Sequence, residues 1–255
     1  MMNIVKRGMP LYFVILLLFF WELLIYFLNI EPWVLPAPSA IGKEVLALSR
    51  QLPAPVWATT QIAVSGLVIG TGIGILTAGT LHLFSFLRQM LYPLIILSQN
   101  IPMIALAPLL VMWFGFGIFP KILVVALICF FPVTISLLGG LAETDRTLIT
   151  YMKMAGASRM QIFFKCECPS ALPAFFSGLK LSATYSVMGA VIAEWLGAEN
   201  GVGVMMQLAS STFRTDRVFV TILLVAGLSL SFFALITLCE RAVLRGRKGN
   251  QRRLF

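Results

Sequence analysis

The chain has 255 residues, of which 59% are hydrophobic and 11% charged, with a formal net charge of +9. Soluble domains carry about 25% charged residues, so this composition and a mean hydropathy of +0.95 exclude an ordinary water-soluble particle and make lipid part of the solvent. Nucleic-acid binding is also excluded: six of the 19 basic residues (Arg241, Arg245, Arg247, Lys248, Arg252 and Arg253) crowd the last fifteen positions, and the rest are scattered between apolar runs. That distribution fits anchoring at an anionic lipid surface.

Six apolar runs reach the roughly 20 residues that a helix needs to cross the hydrocarbon core: 10–29, 57–81, 90–114, 121–141, 172–195 and 218–238. They lack the alternation of barrel strands. The prediction is therefore an all-α integral membrane protein of six transmembrane helices. The first run follows Lys6 and Arg7 as a signal peptide would. It is too long for that and no small-residue cleavage site follows, so it reads as a retained helix. Glu22 sits midway along it, where an interior pairing or an interfacial role is expected. In the connection 30–56, Ser39 is placed to cap a short surface helix reaching about Arg50.

The second run carries Gly66, Gly70 and Gly74 at four-residue spacing, continued by Ala78. Small residues at this spacing form one helix face that another helix can approach closely, so these are helix-packing positions. The third run contains Gln99-Asn100-Ile101-Pro102 and then Pro108, which predicts a bent helix facing protein or water. Asn100 and Pro102 are pathway candidates; the alternative for Asn100 is a hydrogen bond to a neighbouring helix. Glu194 ends the fifth run, just before Gly197, Gly201 and Gly203. An acidic group there is expensive unless paired or wetted, which makes Glu194 the third pathway candidate.

The connection 142–171 holds the most information. Thr144 or Asp145 is placed to cap a first helix, and Gly156 to end it in a left-handed turn. Ser158 and Gln161 have the spacing of a capping box that starts a second helix. Pro169 is expected to end that helix, with Pro173 in the first turn of the next span. Leu148, Met152, Met154, Met160 and Phe164 give this connection more apolar surface than a solvated loop needs, which predicts a docking site for a partner protein.

Orientation follows from Lys and Arg counts. With the N-terminus inside, inner segments hold Lys6, Arg7, Arg88, Arg146, Lys153, Arg159, Lys165 and the six tail residues; outer segments hold Lys43, Arg50, Lys121, Arg214 and Arg217. Thirteen against five places both termini in the cytoplasm. Lys180 lies within a span, close enough to its inner end to snorkel. Cys129 and Cys239 lie in apolar runs as small hydrophobes. Cys166-Glu167-Cys168, with His82 as the sole histidine, lacks the second cluster a metal site needs. No metal and no cofactor is expected, and the thiols read as unpaired in a reducing cytoplasm.

The spacing around Gly156 resembles the cytoplasmic loop of ATP-binding-cassette (ABC) importer permeases, whose pattern is E-A-A, three residues, G, nine residues, I-x-L-P. Gly156 and Pro169 match; Thr150-Tyr151-Met152 stand where E-A-A is usual, and Cys166 and Cys168 where I and L are usual. Leu35-Pro36-Ala37-Pro38-Ser39, Ile101-Pro102 through Ala107-Pro108-Leu109, Trp113-Phe114-Gly115-Phe116-Gly117, Phe130-Phe131-Pro132 and Ala193-Glu194-Trp195-Leu196-Gly197-Ala198 with Gly201-Val202-Gly203 resemble the branch that serves sulfonates, taurine, nitrate and thiamine-pyrimidine precursors. Residues 177–192 look most like permeases for thiamine-pyrimidine precursors, with riboflavin permeases next.

The resemblance implies a type I importer-permease (MetI-like) fold with a cytoplasmic coupling helix. The chain would be a single permease domain, 1–255, with its core at about 57–241 and its coupling loop at 142–171. It implies a multi-pass protein of the bacterial inner (plasma) membrane, working as a permease homodimer with a separate ABC ATPase homodimer and an extracytoplasmic substrate-binding protein. The ATPase would dock on Thr150, Met152, Ala155, Gly156, Ala157, Ser158 and Gln161, with Pro169 at the loop's end. The expected solute is a thiamine pyrimidine precursor; the alternatives are a sulfonate, taurine, nitrate or riboflavin. The chain has no G-x-x-x-x-G-K-[ST] phosphate loop, so ATP hydrolysis is assigned to another chain. A membrane enzyme would need a catalytic constellation, and none is visible. A secondary transporter would be expected to show intramembrane charge pairs or internal repeats, and neither is apparent.

Overall fold

A computed structural model describes the backbone of residues 2–251 and the side chains of residues 12–245. The side chains of Lys6, Arg7, Arg247, Lys248, Arg252 and Arg253, part of the orientation count, lie outside the described residues. Among the described residues every regular element is helical. In chain order these are α1 (Met2–Leu28), α2 (Pro38–Leu48), α3 (Pro53–Leu83), α4 (Ser85–Ser98), α5 (Met103–Phe114), α6 (Ile118–Ala142), α7 (Arg146–Met154), α8 (Arg159–Ile162), α9 (Cys168–Glu194), α10 (Val202–Ser211) and α11 (Thr215–Gln251). A π-helical turn, Phe163–Glu167, joins α8 to α9.

Of the six expected runs, the third, read as a bent helix, is broken outright. Among the described residues four segments are long and apolar enough to cross a membrane alone: α3, α6, the continuous run Arg159–Glu194, and Thr215–Arg245 within α11. The third expected span is two helices, α4 and α5, which meet at 100°. At 1.5 Å per residue each is about 20 Å long, too short to cross by itself. Gln99 to Pro102 cause the break, because Pro102 is held extended (ψ 116) and becomes the N-cap of α5. The 27-residue α1 precedes the bundle, and its described face, from Tyr12 on, is apolar and exposed.

The centre of the bundle is α3, α6 and α9, which enclose Ile62, Ala63, Leu67, Val125, Cys129, Ala183, Val187 and Ala190. The glycine face of α3 makes this possible. A Cβ on Gly66 would run into Val125, one on Gly70 into the Ala126 carbonyl, and one on Gly74 would lie 3.0 Å from Val133 Cγ1. Lipid tails are as apolar as side chains, so such close van der Waals approach holds the helices together here. Val225, Leu228, Phe232 and Ile236 of α11 lay a stripe against the same core. The rest of α11 up to Arg245 is largely uncovered by the chain, as a lipid-facing surface is.

Two further expectations are corrected. Pro169 does not end a helix: α8, the π turn and α9 run on as one rod, with Pro169 in the first turn of α9 and Pro173 inside it. In the π turn the Cys168 N–H already reaches back five residues to the Phe163 carbonyl, and this widened register accommodates a residue that has no N–H to give. Ser39 is not the cap of α2. Pro38 takes the first helical position and Ala37 becomes the N-cap, which leaves the Ser39 N–H free. Glu22 of α1 accepts from both that N–H (3.1 Å) and the Ser39 hydroxyl (2.6 Å). The carboxylate in the first helix thus tethers α2 by its N-terminus, where the helix dipole favours negative charge.

Candidate functional site

At one end of the bundle α7 and α8 form a protruding helix–turn–helix. The Asp145 carboxylate accepts from the Thr147 N–H at 2.8 Å and caps α7. Gly156, at φ +78, closes α7: its own N–H reaches the Lys153 carbonyl and the Ala157 N–H reaches Met152, the paired bonds of a left-handed helix stop. Ser158 and Gln161 then make both bonds of a capping box, Ser158 N–H to Gln161 Oε1 at 2.8 Å and Gln161 N–H to Ser158 Oγ at 3.3 Å. The turn is rigid because local bonds satisfy its backbone. Its apolar side chains are not covered: Leu148, Tyr151, Met154, Met160 and Phe164 are exposed, Met154 to 80%. Thr150, Ala155, Gly156, Ser158 and Gln161 are exposed beside them, with Met152, Ala157 and Pro169 half-buried.

The opposite end carries α2 and α10. Here Glu194 is 1% exposed, so the expectation that it faces an open lumen is corrected. Its Oε1 accepts from the Thr59 hydroxyl of α3 at 2.7 Å, and its Oε2 from the Gly203 N–H at 2.7 Å. The Thr59 oxygen in turn accepts from the Val202 N–H at 2.9 Å. The first two N–H groups of α10 are thus satisfied by side chains from α3 and α9. A buried carboxylate needs such donors, and a helix N-terminus supplies them. Gly201, at φ +147, packs so closely on the carboxylate that a Cβ would collide with it. Nearby, Glu44 of α2 receives Arg217 (2.7 Å) and Arg214 (3.1 Å), and Arg214 also pairs with Asp216. Two of the five basic residues assigned to outer segments are therefore neutralised.

Between the two ends lies the α4–α5 break. α4 packs near Leu81 and Leu138 on the α7 side, and α5 near Val124 and Ala193 on the α10 side. Asn100 is exposed at the break, and its Nδ2 donates to the Ile96 carbonyl at 2.9 Å, closing the last turn of its own helix rather than bonding a neighbouring one.

The sequence reading missed two charged contacts. The Lys180 Nζ lies 3.0 Å from Glu240 Oε2 on α11. Glu240 falls four residues after Ile236 on the inward stripe of α11, a signal lost because the sixth run was ended at 238. His82, weighed only as a metal ligand, lies 3.0 Å from the buried Glu167 carboxylate. No cluster of three or more His, Cys, Asp or Glu side chains is placed to hold a metal ion among the described residues.

The fold is thus a helical bundle with membrane-spanning helices, a protruding apolar turn at one end and a broken helix pair between its two ends. Residues 70–245 match the family described as binding-protein-dependent transport system inner membrane component. The chain belongs to that family, the membrane permeases of ABC importers. It is 34% identical over 240 residues to a formylaminopyrimidine transport permease protein (ThiX) of Halalkalibacterium halodurans, covering 94% of this chain and 96% of that one. A riboflavin transport system permease protein (RibX) of Chloroflexus aurantiacus is 33% identical over 243 residues, with 93% and 89% covered. A putative aliphatic sulfonates transport permease protein (SsuC) of Bacillus subtilis is 32% identical over 222 residues, with 86% and 80% covered. Among solved structures the fold is similar to an amino acid ABC transporter described with histidines, at TM-score 0.63 and 15% identity, covering 77% of this chain and 97% of that one. It is also similar to the inward-facing MetNI methionine ABC transporter, at TM-score 0.60 and 19% identity, covering 72% and 93%.

Proposed function

We propose that this chain is the membrane-spanning subunit of a bacterial importer that carries a thiamine pyrimidine precursor into the cytoplasm. The observation that supports this reading best is the 34% identity to the formylaminopyrimidine permease, which runs along nearly the full length of both chains. Residues 1–255 act as one permease domain in the inner membrane, with both termini cytoplasmic and 57–241 as its core. Two copies enclose the pathway, a substrate-binding protein delivers solute from outside, and a separate ATPase homodimer hydrolyses ATP. The connection 142–171 is the coupling loop. Thr150, Met152, Ala155, Gly156, Ala157, Ser158 and Gln161 dock in the ATPase, and Pro169 joins the loop to α9. Asn100 and Pro102, at the α4–α5 break, line the pathway, since broken backbone at membrane depth is stable where it borders protein or water. Glu194 holds the outer end shut rather than touching solute.

The similarity to a riboflavin permease supports a second solute. Uptake by the reconstituted complex, with labelled formylaminopyrimidine, riboflavin and an aliphatic sulfonate compared at equal concentration, tests the choice. ATP-dependent accumulation of the pyrimidine alone is the expected result. Accumulation of riboflavin or the sulfonate instead reassigns the solute, and uptake driven by a proton gradient without ATP overturns the importer reading.

A further inference from the structure

Glu167 is 4% exposed, and a single oxygen of its carboxylate, Oε2, is met from two sides. Arg159 Nη1 donates to it at 2.6 Å, and His82 Nε2 stands 3.0 Å away, outside hydrogen-bond geometry. Three elements converge there: Arg159 opens α8, Glu167 closes the π turn, and His82 lies in the last turn of α3. Phe163, from the same π turn, stacks on the His82 ring (centroids 6.0 Å, planes 29° apart) and lies over Gly79 of α3. The last turn of α3 is therefore seated on the loop segment by one ring contact and one close polar contact.

Packing alone does not require a histidine here. Both ring nitrogens are buried without a hydrogen bond, an arrangement that costs stability and that an apolar side chain would avoid. The bundle has other fastenings: the glycine face of α3 holds α6, while Gly140 and Gly178 bring α6 against α9. What His82 adds is a link between α3 and the protruding turn. α9 needs no such link, because α8, the π turn and α9 are one continuous rod.

We propose that His82 is a positioning residue, acting through Glu167 and Arg159, that makes the inner end of α3 follow the coupling loop, so that one ATP-driven stroke carries α9 and α3 together. The inference rests on the coupling role proposed above for residues 142–171. It gives the movement a physical route: a short polar and aromatic linkage between the end of α3 and the α8–α9 rod, next to a π turn of the kind that recurs at functional sites.

The test uses the complex with its ATPase in lipid nanodiscs, in a cysteine-depleted background, with spin-label pairs at Ser85–Lys165 and at Lys165–Leu208. In the unsubstituted chain, trapping with ATP and vanadate should change the Lys165–Leu208 distance and leave Ser85–Lys165 constant. His82→Leu should bind the ATPase at the normal ratio and melt at or above the normal temperature. Its Ser85–Lys165 distance should nevertheless shift on trapping by about 2 Å or more, the scale of a helix displacement. His82→Gln, which puts an amide near the position of Nε2, should restore the constant distance. If His82→Leu melts early, Glu167→Gln has the same shape and is expected to give the same shift. A constant Ser85–Lys165 distance in a folded variant overturns the inference alone. Failure of the unsubstituted chain to bind its ATPase overturns the coupling role, and this inference with it.

Discussion

Thr59 and Glu194 lie 135 residues apart in the chain and 2.7 Å apart in the fold, hydroxyl to carboxylate, with the first two N–H groups of α10 bound to the same pair. This makes Glu194 a latch between α3, α9 and α10. Removing either member leaves a partner buried without its bond, which costs about 1–3 kcal/mol. Glu194→Gln keeps one acceptor oxygen but turns an amide donor towards another donor. Thermal unfolding of Thr59→Val and Glu194→Gln should show similar losses, and the double variant should lose less than their sum. Additive losses would mean that the two residues do not act as a unit.

The Lys180–Glu240 pair joins α9 to α11 with both side chains largely covered. Glu240→Gln strands the ammonium in apolar surroundings and should cost about 3 kcal/mol, whereas Lys180→Met with Glu240→Met removes both charges and should be tolerated to within about 1 kcal/mol. Membrane-inserted yield and melting temperature would read both. A double variant as damaged as the single one would mean that the pair has a role beyond fastening α11.

The glycine face of α3 gives a contrast within one helix. A Cβ at Gly70 meets the Ala126 carbonyl, while one at Gly72 meets nothing within 4 Å. Gly70→Ala should destabilise the bundle by about 1–3 kcal/mol. Gly72→Ala should be neutral or stabilising by up to about 1 kcal/mol, as alanine is the better helix former. Equal effects in a melting assay would remove α3–α6 contact as the reason for the glycine spacing.

Orientation is open to direct labelling. Single cysteines at Gln51 and Asn200, both exposed at the α2 and α10 end, should react with an impermeant thiol reagent from outside the cell. One at Gln251 should react only after the membrane is opened. The reverse pattern would put the protruding turn outside, where no ATP is available.

Local chemistry was legible in the sequence and long-range pairing was not. The Ser158–Gln161 box, the Gly156 stop and the Asp145 cap need only neighbouring residues, and each forms as its spacing dictates. The α3 glycine face is similar, since its pattern lies within one helix. The partner of Glu194 could not be read, because Thr59 is one of many hydroxyls in apolar runs and only the fold brings it near. The same holds for Glu240, 60 residues from Lys180. The bend at Gln99 to Pro102 was legible but its size, 100°, was not, because apolar residues flank the four that break residues 90–114. Pro169 misled for a different reason. A proline ends an ordinary helix, but the π turn just before it had already changed the bonding register.

The protruding turn is the proposed site where ATP hydrolysis is coupled to transport. Gly156, at φ +78, tolerates a left-handed conformation that a residue with a Cβ enters only at a cost of about 1 kcal/mol or more. A charge placed there would also have to be desolvated in any docked contact. The direct measurement is co-purification of Gly156→Asp with the ATPase, followed by ATP-dependent uptake of formylaminopyrimidine in vesicles that contain the binding protein. A folded, membrane-inserted variant that fails to hold the ATPase and loses uptake is the predicted result. Normal ATPase stoichiometry with normal uptake would contradict it.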